Sequence, residues 1–203
     1  MDSKSVTDNQ ILELICSRRT CYKFLDKDIF PVQQPLLNQC LKAATHAPNH
    51  KLTQPWKFWV LGAQMKNALG HIYADSRARK KSISNPECYD VFYEKGKAKF
   101  ANIPTVILVG QTKHEDEIVS KEDYAACACA IQNFQLMAWQ LKIGVQWSTG
   151  PILKDSRTFE TLGIAEDEIE LIGALYIGNI DGGCEPNPNL KRKRVEEVTV
   201  YTD

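Results

Sequence analysis

Arg18, Arg19 and Thr20 form the first cluster of side chains that could carry chemistry. Two guanidinium groups beside a hydroxyl suit a phosphate, because arginine matches phosphate oxygens with two parallel hydrogen bonds. The cluster also ends an apolar stripe over residues 11–15 that has helical spacing. A cationic helix C-terminus, favoured by the helix dipole, is therefore the structural alternative and by itself the simpler one.

A second cluster lies in residues 47–56, a polar loop bounded by two prolines. Its amide, imidazole and ammonium donors suit a polar heteroaromatic ring, although a plain connection between two elements is the alternative. His46 and His50 have the spacing of two metal ligands on a helix face. Pro48 breaks the helix that this spacing requires, so we expect no metal site here.

Two more clusters lie in the second half of the chain. Residues 144–150 read as a strand that ends in small residues, whose backbone can approach a flat ligand closely. Residues 191–194 are basic, and a solvated tail or a targeting signal is the alternative to an anion contact. No dinucleotide-binding fingerprint or P-loop is present, and Gln146 stands where a nucleophile elbow needs glycine.

The elements that must position these clusters are helices and strands in alternation. Apolar periodicity predicts helices over 33–44, 64–73, 121–142 and 156–162, and strands over 56–61, 103–110, 145–147 and 169–177. Residues 74–100 are charged and predict a solvated helical excursion or lid, while residues 181–203 form a C-terminal extension. We see no linker, so residues 1–203 predict a single three-layer α/β or α+β domain.

Composition excludes several classes of protein. The 203 residues contain 25 Lys and Arg and 25 Asp and Glu, and this zero net charge argues against a nucleic-acid-binding module. No apolar run is long enough for a membrane helix, and the N-terminus lacks the apolar core of a secretory signal. Seven cysteines without a CxxC pair predict reduced thiols in a cytoplasmic protein.

Taken together, the four clusters resemble the nitroreductase family of flavin enzymes in its compact bacterial form. The matching features are an Arg-Arg-Thr helix end, an Ala-Pro loop closing on Gln-Pro-Trp, an Ala-rich central helix, a Gly-x-x-Trp turn, a Gly-Asn strand end and a basic cluster before Val-Glu-Glu-Val. Their order and spacing cover residues 11–200. The resemblance implies an α+β fold with a central, mostly antiparallel sheet flanked by helices, assembled as an intertwined homodimer.

The resemblance also implies a tightly bound FMN, with NAD(P)H as the reductant. Its phosphate would be held by Arg18, Arg19, Thr20 and Arg192. The loop that faces the flavin would supply His46, Asn49, His50 and Gln54. The turn along the isoalloxazine would be formed by Trp147, Ser148 and Thr149. The two FMN sites would lie at the dimer interface and draw on both chains, which agrees with the apolar helix over 121–142. Because the cofactor performs the redox chemistry, we name no catalytic side chain.

The function implied by the resemblance is ping-pong hydride transfer from NAD(P)H through FMN to an electron-poor acceptor, such as a nitroaromatic or a quinone. A specialised relative, such as a reductive dehalogenase, is an alternative within the enzyme class. A flavin-binding carrier or sensor without efficient turnover is an alternative from a different class.

Two positions depart from the family's pattern. Many members carry Arg or Lys where this chain has Tyr22, and that cation helps to stabilise the reduced flavin near N1 and O2. Many also carry Asn where this chain has Leu52. Lys23, His50 and Lys51 are the candidates to replace the missing cation, and we favour His50 because it lies in the proline-bounded loop.

Overall fold

The computed structural model of the chain describes residues 9–182, 184 and 192–202. The helices within these residues are α1 (Asn9–Ser17), α2 (Gln34–Ala44), α3 (Ala63–Lys81), α4 (Tyr89–Ala101), α5 (Glu117–Gln140) and α6 (Ser156–Leu162). The strands are β1 (Trp56–Val60), β2 (Thr105–Thr112), β3 (Ile143–Ser148) and β4 (Ile169–Asn179). Lys191, the first residue of the basic cluster, lies outside the described residues.

The four strands form one antiparallel sheet in the order β1-β2-β4-β3. The two central strands are buried on both faces, which explains why β2 and β4 read as nearly continuous apolar runs. α2 and α5 pack on one face of the sheet, and α3, α4 and α6 lie on the other. The predicted α+β class with three layers is confirmed.

The charged segment over residues 74–100 contains more regular helix than the sequence predicts. The helix predicted to end at residue 73 continues to Lys81, because its buried stripe extends through Ala74 and Ala78 while charged residues occupy the opposite side. α4 then packs along α3, and their closest approach is at Gly96. A Cβ atom there would lie 3.1 Å from the Cα of Ala74. The excursion over residues 74–100 is therefore a packed helical pair.

α5 begins four residues earlier than predicted, at Glu117. The Asp116 carboxylate caps it by accepting hydrogen bonds from the backbone N–H groups of Ile118 and Val119, at 2.8 and 3.4 Å. One side of α5 is buried against the sheet and α2. The other side is only partly covered, and its small and apolar residues include Ala125, Cys129 and Leu136.

Two of the seven cysteines are not reduced thiols, so that expectation is wrong for them. Cys21 and Cys184 form a disulfide, with Cα atoms 5.4 Å apart and a sequence separation of 163. The bridge between Phe24 and Ile180 brings the two segments together, which no local spacing could have indicated. Cys16, Cys40, Cys88, Cys127 and Cys129 are free.

No helix in the described ranges is both long and apolar enough to cross a membrane. Over the same part of the chain, no three His, Cys, Asp or Glu side chains lie close enough together to hold a metal ion.

Candidate functional site

The first cluster follows directly after α1, and the end of α5 holds it in place. The indole Nε1 of Trp139 donates to the Ser17 hydroxyl at 3.0 Å. One guanidinium nitrogen of Arg18 donates to the side-chain oxygen of the buried Gln135 at 3.5 Å. α5 therefore fixes both the end of α1 and the start of the Arg-Arg-Thr segment.

Arg19 partly caps the C-terminal end of α1, which is the structural alternative that the sequence indicated. Its Nη1 donates to the backbone carbonyls of Cys16 and Arg18, at 2.5 and 2.8 Å. Its Nε, however, is buried and has no hydrogen-bond partner among the described residues. Since a buried, unpaired donor is costly, this nitrogen is well suited to an anion bound beside it.

Arg192 returns to the same place from the C-terminal end of the chain. Burial lowers the pKa of Arg18, and the like charges of Arg19 and Arg192 lower it further. Three guanidinium groups, which we call the arginine cluster (Arg18, Arg19, Arg192), therefore lie near one another. Mutual repulsion disfavours this arrangement, and a multiply charged anion would relieve it.

The edge of β3 lies directly beside the arginine cluster. The backbone N–H of Cys21 donates to the carbonyl of Val145 at 3.1 Å. Gly144 permits this approach, because a Cβ at that position would lie 2.8 Å from the Cβ of Cys21. β3 continues from here to the predicted turn. Trp147 and Ser148 are half-buried in it, and Thr149 is exposed.

A cavity of about 340 Å³ opens beside β3, between the residues that follow the arginines and the end of α4. We call it the cationic cleft. Its lining comprises Tyr22, Lys23, Phe24, Lys99, Asn102, Ile103, Gln146, Tyr176 and Asp181. Sequence reasoning missed Lys99 and Tyr176. Lys99 lies in a charged helix with no motif of its own, and Tyr176 lies in an apolar strand.

The proline-bounded loop has an unusual backbone. Lys51, Leu52 and Gln54 all have positive φ, at 51°, 56° and 46°, although none is glycine. The Asn49 side chain stabilises this shape by accepting a hydrogen bond from the N–H of Gln54 at 3.0 Å. Such strain concentrates at functional sites, because only a surrounding structure that demands it can maintain it.

The predicted polar groups of this loop are mostly exposed. His50 and Gln54 are open to solvent, and Asn49 is half-buried. His46 is exposed as well, and its Nδ1 lies 2.8 Å from the carbonyl of Lys42, where it helps to cap α2. The hydroxyl of Thr53 donates to a carboxylate oxygen of Asp123 at 2.7 Å and fixes the loop against α5.

A single chain does not bring this loop to the arginine cluster. The loop contacts α5 at Asp123, and Arg18 contacts α5 at Gln135. At 1.5 Å per residue these two positions are about 18 Å apart along the helix. The structure thus brings the arginine cluster together beside β3. The residues predicted to face the flavin from the loop lie away from this cluster within one chain: His46, Asn49, His50 and Gln54.

Comparison with known proteins agrees with this architecture. Residues 15–179 match the model of the nitroreductase family. The chain is 31% identical over 158 residues to "Putative NAD(P)H nitroreductase YfhC" of Bacillus subtilis, and the match covers 77% of each protein.

Two solved structures share the fold. One is a nitroreductase-like family protein from Bacillus cereus, with a TM-score of 0.78 and 28% identity over 95% of this chain and 96% of that one. The other is a nitroreductase described as putative, in complex with FMN, from Desulfovibrio desulfuricans. Its TM-score is 0.71 at 21% identity, over 97% of this chain and 99% of that one.

Proposed function

The chain belongs to the nitroreductase family, and we propose that it is an oxidoreductase that passes a hydride from NAD(P)H through bound FMN to an electron-poor acceptor. The acceptor is a nitroaromatic, a quinone or a similar compound, and the location is cytoplasmic. FMN would supply the hydride chemistry, while the protein orients donor and acceptor in turn.

The arginine cluster is the observation that carries this proposal. Three guanidinium groups and the unpaired Nε of Arg19 suit a phosphate monoester, which carries up to two negative charges and several acceptor oxygens. Thr20, exposed at the same place, adds a hydroxyl donor. The complex of the Desulfovibrio protein with FMN and the name of the Bacillus subtilis relative supply the rest of the argument.

The turn formed by Trp147, Ser148 and Thr149 would lie along the flavin ring. It lies at the end of the strand whose edge contacts the arginine segment, so phosphate and ring would occupy neighbouring positions. The indole Nε1 of Trp147 donates to the carbonyl of Ile172 at 3.3 Å, which holds the side chain in place. Its side chain is therefore fixed before any ligand binds.

We also propose that two copies of the chain complete each site. The proline-bounded loop lies too far from the arginine cluster of its own chain, so a second copy would bring its loop to this cluster. α1 leaves Ile11 71% exposed and Leu12 56% exposed, next to the uncovered side of α5. A second copy would bury these apolar surfaces, and the expected obligate interface exceeds about 2,000 Å².

The direct experiment is to purify the protein and to record its visible spectrum before and after addition of NADH. We expect a yellow protein whose flavin absorbance bleaches rapidly under anaerobic conditions and returns when a nitroaromatic or a quinone is added. A colourless protein that does not take up FMN would contradict the proposal. A bound flavin that NADH and NADPH fail to reduce would identify a carrier.

The phosphate anchor has its own test. Arg18→Ala should weaken FMN binding about ten- to hundred-fold, because a charge-assisted contact contributes about 1.5 to 3 kcal/mol. Riboflavin, which lacks the phosphate, should bind with nearly unchanged affinity. Flavin fluorescence titrations of the apoprotein measure both constants.

The matched control is Arg194→Ala. Arg194 lies in the same C-terminal segment but pairs with Glu197 at 2.9 Å and is 77% exposed. This variant should bind both flavins as the unmodified protein does. Equal losses of FMN and riboflavin affinity in Arg18→Ala would show that Arg18 does not contact the phosphate.

A further inference from the structure

The cationic cleft holds more positive charge than its lining neutralises. Lys23 and Lys99 line it, and Asp181 is the one acidic side chain of its described lining. Burial lowers the pKa of Lys99, and the like charges of Arg77 and Lys81 lower it further. A single carboxylate therefore faces two ammonium groups in the cleft lining, and the cleft favours a ligand that carries or acquires negative charge.

The inner wall of the cleft offers hydrogen-bond donors as well. Tyr176 is 2% exposed, and its hydroxyl lies close to the hydroxyl of Ser148. Burial raises the pKa of Tyr176 to about 12, although the Ser148 hydroxyl opposes the shift, so the phenol keeps its proton at neutral pH. Gln146 lies directly opposite Tyr176 in the β3–β4 pair and adds an amide to the same face.

The cleft lies next to the two segments that would hold FMN. Tyr22, on its wall, follows Thr20 of the phosphate anchor by two residues, and Gln146 precedes Trp147 of the turn. The cleft thus adjoins both segments from the α3–α4 side of the sheet, because Gln146 pairs with Tyr176 on that side, whereas Trp147 packs toward α2 and α5. Tyr22 itself is a neutral side chain, so any charge on this wall comes from the lysines.

We infer that Lys99, with Lys23 beside it, stabilises the negative charge that FMN acquires on reduction. The oxidised ring is neutral, so a nearby ammonium group favours the reduced form selectively and raises the reduction potential. The inference rests on the proposed function, because it requires FMN to be bound. Lys99 belongs to α4, so the packed helical pair α3–α4 would also tune the cofactor.

The test compares Lys99→Gln with Lys95→Gln on the apoprotein reconstituted with FMN. Lys95 is an exposed residue one turn earlier on α4 and lies outside the cleft. The measurements are anaerobic binding constants for oxidised and for reduced FMN, together with a redox titration of the bound flavin. Neither readout depends on turnover.

Lys99→Gln should lower the preference for reduced over oxidised FMN about ten-fold, which corresponds to about 30 mV for a two-electron couple. Lys99→Arg should retain most of the preference, and Lys95→Gln should not change it. An unchanged potential in Lys99→Gln, or a drop confined to His50→Ala, would overturn the inference and leave the proposed function intact. Failure of the unmodified protein to bind FMN would instead refute the proposed function.

Discussion

At the scale of single residues, the backbone of the proline-bounded loop is the feature that side-chain chemistry alone did not indicate. Leu52 has a φ of 56° and is 77% exposed. A left-handed conformation costs an L-residue about 1 to 2 kcal/mol, and asparagine tolerates it better than leucine does. The asparagine that many family members carry here would therefore suit the backbone.

Replacing Leu52 with asparagine should stabilise the protein by up to about 1 kcal/mol, because it relieves this backbone cost and removes no buried contact. Urea unfolding followed by tryptophan fluorescence measures the difference. Ile83→Asn is the control, since Ile83 is 78% exposed and its φ is not positive. A loss of stability confined to Leu52→Asn would mean that a second copy of the chain covers this side chain.

At the scale of elements, one buried carboxylate connects three helices. Asp75 of α3 is 7% exposed. It accepts from the Tyr89 hydroxyl of α4 at 2.5 Å, and it pairs with Arg79 at 2.8 Å and with Arg157 of α6 at 2.7 Å. Burial opposes ionisation, but the hydrogen bonds from Tyr89, Arg79 and Arg157 prevail and lower the pKa of Asp75 to about 2.

Asp75→Asn should therefore destabilise the protein by about 2 to 3 kcal/mol, since it removes charge-assisted hydrogen bonds in a buried place. Because folding lowers the pKa of Asp75, its ionised carboxylate stabilises the fold at pH values above the pKa of an unfolded aspartate, about 3.9. This stability is lost as the pH falls from about 5 to about 2. Thermal unfolding at several pH values should show a shallower acid dependence in Asp75→Asn.

The control for this prediction is Asp28→Asn. Asp28 pairs with Lys27 at 2.9 Å, but its side chain is 79% exposed. Exposed ion pairs contribute at most about 1 kcal/mol, so this variant should change little. If both variants lose the same stability, the buried network does not hold α3, α4 and α6 together.

At the scale of the whole molecule, the separation of the two halves of the proposed site makes assembly testable. A chain with Arg18→Ala retains its own loop, and a chain with Gln54→Ala retains its own arginine cluster. If each site combines one loop with the other chain's cluster, a mixed dimer of these two variants contains one intact site and one doubly defective site.

Co-expression of the two variants with different affinity tags should therefore restore tight FMN binding to about half of the sites in the mixed dimer. Each variant alone should bind FMN weakly. Sites contained within one chain would show no recovery, because each would still carry one defect. Sedimentation should accompany this measurement and give twice 23.0 kDa for every form.

Much of the local structure follows from the sequence, because local patterns have local causes. Apolar periodicity indicated the four strands and every helix of the described residues except α4, which lies in the segment predicted only as a charged helical excursion or lid. The boundaries shifted where a side chain caps a helix, as Asp116 does for α5. The charged surface of α3 concealed its buried stripe, so the helix was predicted too short. The resemblance carried by the ordered motifs indicated the family, which the comparisons confirm.

The tertiary structure alone decided which residues meet. Lys99 reaches the cleft because α4 folds back onto α3, and Cys184 meets Cys21 because the chain returns beside Phe24. Sequence spacing carries no information about such contacts, since they depend on the directions in which whole elements pack. For the same reason the sequence named the arginine segment and the loop together, while the fold separates them by about 18 Å along α5 within one chain.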